Sequence, residues 1–145
     1  MSCRYNGVWL GGVVLLLAAC REAPLPETVH LPESHCESGV CSTQTDERRV
    51  TLRFLEQPNP LQPFAFVVSL QGFAGGDVKA IQVAFRMQGM DMGRNLYRLQ
   101  PDAEGYTGRA VLPVCTGGRS DWIAEVRIET PHKRYVAPFG FAVKR

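Results

Sequence analysis

Residues 121–130 read DWIAEVRIET, and the fold turns on them. Trp122, Ala124, Val126 and Ile128 fall on one side of an extended chain. Glu125, Arg127 and Glu129 fall on the other. Successive side chains of a strand point to opposite faces, so this alternation predicts a strand with one face in a core and one in water.

The same period of two recurs outward in both directions. Upstream, VKAIQVAFRM (78–87) puts Ile81, Val83, Phe85 and Met87 on one face. PFAFVVSLQG (63–72) does so with Phe64, Phe66, Val68 and Leu70, and RRVTLRFLE (48–56) with Val50, Leu52 and Phe54. A weaker strand is expected over Tyr106–Leu112 and a short one over Asn95–Leu99. Downstream, YVAPFGFAV (135–143) aligns Tyr135, Ala137, Phe139, Phe141 and Val143. Turn-forming runs separate these segments: QPNP, GFAGGD, GMDMG, QPDAEG, CTGGRSD and TPHK. No stretch keeps a helical period. About seven short alternating strands in roughly 100 residues predict an all-β, immunoglobulin-like antiparallel β-sandwich over 48–145, with Trp122 plugging its core.

The chain has 145 residues, 45% apolar and 21% charged, which suits one globular domain. A net charge of +2 without a long basic block argues against nucleic acid as a partner. No Ser-His-Asp order, paired-carboxylate setting or phosphate loop is visible, so no enzymatic activity is expected. Gly75 and Gly76 belong to a hairpin turn. No CxxC opens a helix, as a thiol oxidoreductase would need. His132 sits in a polar turn and reads as solvated.

The N-terminus has its own logic. Arg4 precedes an apolar run, VWLGGVVLLL (8–17), too short for a comfortable membrane span. Leu17-Ala18-Ala19-Cys20 follows and resembles the lipobox of bacterial lipoproteins. That resemblance implies a signal peptide over 1–19 and lipidation (palmitate among the acyl chains) on Cys20, anchoring the protein in the membrane on the periplasmic side. Multiple acyl chains hold firmly where one does not. Arg21, rather than aspartate, follows the cysteine. By resemblance to enterobacterial sorting this favours the outer membrane. REAPLPETVHLPES (21–34) has three prolines and no apolar periodicity, so 20–47 is expected to be a flexible tether.

Export leaves Cys36, Cys41 and Cys115 in an oxidising compartment. Four residues separate Cys36 from Cys41, which permits a local disulfide. Two alternatives stand beside it: a thiol pair for Cu(I) with His35 adjacent, and a long-range bridge to Cys115.

FRMQGMDMGRN (85–95) holds Met87, Met90 and Met92. Met87 continues the buried phase of its strand and reads as core filling. Met90 and Met92 lie beyond Gly89 in a turn-rich stretch. Thioether sulfur suits Cu(I) and needs no deprotonation. These two residues are the candidate ligands, with Cys115 as a third if its loop opens at the same end of the sandwich. The other reading has them plug that end.

The order MQGMDMGRN, EGYTG, LPVC and DW resembles the YtkA-like and FixH-like domains of small exported proteins. Met87, Gly89, Met90, Met92, Gly93, Gly105, Tyr106, Gly108, Gly118 and Trp122 carry the match, over roughly 48–143. The resemblance implies an immunoglobulin-like fold and a link to copper handling or cytochrome oxidase assembly. Its implied partners are a copper chaperone or an oxidase assembly protein. Cys115 and the HCESGVC segment depart from the pattern. The competing expectation is a metal-free interaction lipoprotein whose cysteines are structural.

Overall fold

A computed structural model describes residues 24–90, 93 and 95–144. No helix occurs among them. Eleven strands do: β1 Glu27–His30, β2 Ser34–His35, β3 Val40–Thr45, β4 Arg48–Phe54, β5 Pro63–Gln71, β6 Ala80–Arg86, β7 Leu96–Arg98, β8 Gln100–Asp102, β9 Gly105–Val111, β10 Asp121–Glu129 and β11 Lys133–Ala142.

They form two sheets. One runs β1-β11-β10-β6-β7, with β2 also on β11; the other runs β3-β4-β5-β9-β8. Taking β4 as strand A, the chain lays down A-B-E-D in one sheet and G-F-C in the other. That is the immunoglobulin order, and it makes the molecule a β-sandwich. The pairings are antiparallel except those of β1 and β2 with β11.

The alternation in the sequence sets which faces meet. Val50, Leu52, Phe64, Phe66 and Val68 point inward from one sheet. Ile81, Val83, Phe85, Ala124, Val126, Ile128, Ala137 and Phe139 point inward from the other, and all are buried. Phe85 meets Phe64, Phe66, Tyr97 and Phe141 nearly edge to face, with ring centroids 5.4–6.1 Å apart. Such aromatic pairs add about 0.5–1.5 kcal/mol each beyond their buried area. Trp122 is buried beside them, as its phase requires.

Two glycines of the Gly-Tyr-x-Gly segment have structural reasons. Gly105 turns the β8–β9 hairpin at φ +137°, a conformation closed to most side chains. A Cβ on Gly108 would lie 2.9 Å from the Phe66 ring.

The chain before residue 48 differs from expectation. Three strands of the sandwich, β1, β2 and β3, lie within residues 27–45, which the sequence reads as tether. Glu27–His30 pairs in parallel with Lys133–Val136, and Ser34–His35 with Phe139–Gly140. The N-terminal segment therefore runs along the length of β11. A two- to four-residue edge strand held by backbone bonds needs no apolar alternation, so period-two reading passes over it. Pro24, Pro26 and Pro32 flank β1 rather than interrupt it. Leu31 is buried, and its amide donates to Val136 O at 2.8 Å. The folded unit thus begins near residue 27, not 48. The short β8 was also unforeseen, since its QPD reads as a turn. The expected signal peptide, Cys20 and the first residues of the expected tether lie outside the described residues.

Candidate soft-metal site at one end of the sandwich

Strand direction gathers the candidate residues. β6 ends at Arg86, paired with the residue after Trp122 at the start of β10. β11 ends at Ala142 opposite Asp121, and β9 ends at Val111 opposite Pro63. β3 begins at Val40 opposite Arg53 near the end of β4. The loops 36–39 and 55–62, the turn 87–90 and the loop 112–120 therefore lie at the same end. They bring Met87, Met90, Cys36, Cys41 and Cys115 there.

Met87 is buried at 2% exposure and continues the inner face of β6. Its carbonyl accepts a bond from the Met90 amide at 3.4 Å, which closes a turn over Gln88 and Gly89. Met90 comes out of that turn half-buried against the edge of the core.

Cys115 lies in a second turn, closed by the Gly118 amide on Cys115 O at 3.2 Å. Its thiol is free, half-buried and 3.8 Å from the Met90 sulfur. The two sulfurs are 25 residues apart in sequence. Met92 falls outside the described residues. Among those described, no group of three or more His, Cys, Asp or Glu side chains is placed to hold a metal.

Cys36 and Cys41 are joined in a disulfide, with their Cα atoms 4.6 Å apart. As a disulfide neither sulfur has the thiolate a soft metal takes. The thiol-pair reading and the bridge to Cys115 therefore both give way to the local bridge. The position of the bridge explains it. Cys36 follows β2 in one sheet, and Cys41 lies in β3 of the other. The disulfide clamps the crossing between sheets, with Cys41 buried beneath it. His35 is exposed, and its imidazole sits 3.9 Å from the Glu33 carboxylate. His132 is exposed at the opposite end.

Sequence reading missed the polar frame around the sulfurs. Arg119 Nε donates to Asp121 Oδ1 at 2.9 Å, and its Nη2 donates to Oδ2. Arg119 Nη1 donates to the carbonyl of Gln88 at 2.9 Å. The hydrogen bond to Asp121 and then its charge raise the Arg119 pKa above its usual value. Desolvation opposes this, and the charge of Cys115 adds to it. Asp121 is held below the ordinary carboxylate range, first by the bond from Arg119 and next by its own backbone. The available signal was slight: Arg-x-Asp spacing puts both side chains on one side of an extended segment.

A cleft of about 250 Å³ opens beside the pair, lined by Cys115, Arg119, Trp122 and Val143. A second, of about 380 Å³, is lined by His35, Cys36, Gln88 and again Trp122. Ser120 and Trp122 line both clefts.

No family model, curated protein or solved structure matches this chain.

Proposed function

We propose that this protein is a lipid-anchored module of the bacterial envelope that holds Cu(I) through Met90 and Cys115, for passage to a copper chaperone or an oxidase assembly protein. One observation carries the reading: a free thiol and a thioether from distant loops lie 3.8 Å apart at the partly open end of the sandwich. A metal about 2.3 Å from each sulfur, a usual metal–thiolate length, would subtend about 110° between them. Thiolate and thioether are the donors that select Cu(I). Met92, two residues beyond Met90, is the natural third donor. The resemblance to YtkA-like and FixH-like domains leans the same way.

The anchor belongs to the same proposal. Cys20 lies 27 − 20 = 7 residues before the first strand. Seven residues reach at most about 25 Å, so the domain would sit close to the membrane. The chain enters β1 beside Lys133, at the end opposite the sulfurs. The Met90–Cys115 end would then face away from the lipid.

Titration of Cu(I) into the full chain in detergent, against a competing chelator with ascorbate present, tests this function. Stoichiometric retention that Met90→Leu and Cys115→Ser each abolish supports it. No retention above these variants leaves the second reading: a metal-free interaction protein. That reading draws on Leu55, Leu61, Leu96, Val111 and Val114, exposed aliphatics in or beside the loops of the sulfur end.

A further inference from the structure

We infer that Arg119 is the positioning residue of the sulfur pair. It ties the turn that carries Cys115 to the turn that carries Met90, and it sets a fixed positive charge beside them. This rests on the Met90–Cys115 reading above and adds to it how two loops 25 residues apart hold one geometry.

Two short turns carry the sulfurs. Cys115–Gly118 is one, and Met87–Met90 is the other, each closed by one backbone hydrogen bond. Arg119 follows the first turn directly, and its third donor reaches Gln88, the second residue of the other. The guanidinium is oriented by its pairing, although both side chains are exposed. Asp121 takes two of its donors in a fork, and planar two-point pairing fixes direction as well as distance. Asp121 itself begins β10, a strand paired on both sides. The brace therefore runs from a rigid strand, through Asp121 and Arg119, to the methionine turn. Arg119 and Cys115 line the same cleft of about 250 Å³.

A lysine could supply the charge but not the fork. That difference separates positioning from general support of the fold. The test uses the full chain in detergent, in the parent, Arg119→Gln, Arg119→Lys and Asp121→Asn, with Cys115→Ser as background. Two quantities are read at one pH. The first is the ratio of Cys115 alkylation rates by anionic iodoacetate and neutral iodoacetamide, without copper. The second is the Cu(I) dissociation constant by chelator competition.

Arg119→Gln should lower the alkylation ratio several-fold, because the anionic reagent loses a local cation. It should also weaken Cu(I) binding about tenfold. Arg119→Lys should keep the ratio while weakening Cu(I). Asp121→Asn should weaken Cu(I) less than Arg119→Gln, with circular dichroism unchanged. Parent values of both quantities in Arg119→Gln would overturn the inference. So would a loss of Cu(I) with the ratio unmoved and the melting temperature lowered, because that is a structural role alone. A parent that binds no Cu(I) refutes the copper reading and the metal-positioning role that rests on it. The ratio then tests the placed charge alone.

Discussion

Met87 and Met90 are three residues apart and have different fates. Met87 is in phase with Ile81, Val83 and Phe85 and ends in the core, where its sulfur is one more apolar atom. Met90 is past the strand and beside Cys115. Met87→Leu should cost less than about 1.5 kcal/mol, as volume-conserving swaps do, and leave Cu(I) affinity unchanged. Met90→Leu with Met92→Leu should keep the fold and lose Cu(I), which chelator competition and circular dichroism together will show. The phase of Met87 was legible because a strand's period of two is visible in one segment. The partner of Met90 was not, because a contact across 25 residues depends on which loops share an end. At the same scale, Gly108→Val would drive a side chain into the Phe66 ring. It should destabilise by about 1–3 kcal/mol in urea unfolding.

At the scale of the element, sequence reading found strands that bury one face and passed over those that do not. β4, β5, β6, β9, β10 and β11 announce themselves through apolar alternation, and the short β7 lies where a brief strand was expected. β1 and β2 are held by backbone pairing with β11, and proline-rich flanks hid them. β3 buries only Cys41 and Thr43 on its inner face, and the Thr43 hydroxyl donates to Pro32 O at 2.7 Å. No hydrophobic pattern could have marked it. The Cys36–Cys41 bridge compensates for that thin apolar content by locking β3 to the chain that leaves β2. It closes a loop of about six residues. Converting both cysteines to serine should therefore cost about 2 kcal/mol, read as a lower urea midpoint. Cu(I) affinity should be retained, because neither sulfur belongs to the proposed site. Val126 marks the other extreme. It is fully buried in a strand paired on both sides. Val126→Asp would bury an unpaired carboxylate at a cost of several kcal/mol, near the whole stability of a domain. Loss of the strand signal in circular dichroism is expected.

At the scale of the whole molecule, the two ends of the sandwich carry different residues. One end receives the chain from the proposed anchor, turns tightly, and carries Arg48 stacked against Phe73 and Tyr135. The other gathers the sulfurs, the Arg119 brace, exposed aliphatics and the clefts beside Trp122. Immunoglobulin order produces that separation, because antiparallel strands return alternate loops to alternate ends. The fold class was legible from alternation and turn spacing, whereas which loops share an end needed the strand order. Cys20→Ala should release the protein from membranes in a salt wash, and continued attachment would refute the anchor. The central claim is that Met90 and Cys115 act on one metal. X-ray absorption at the copper edge of the Cu(I)-loaded chain tests it most directly. The account predicts a first shell of sulfur at about 2.3 Å that loses one sulfur in Cys115→Ser and one in Met90→Leu. A first shell of nitrogen or oxygen, or a sulfur shell that both substitutions leave intact, would contradict it.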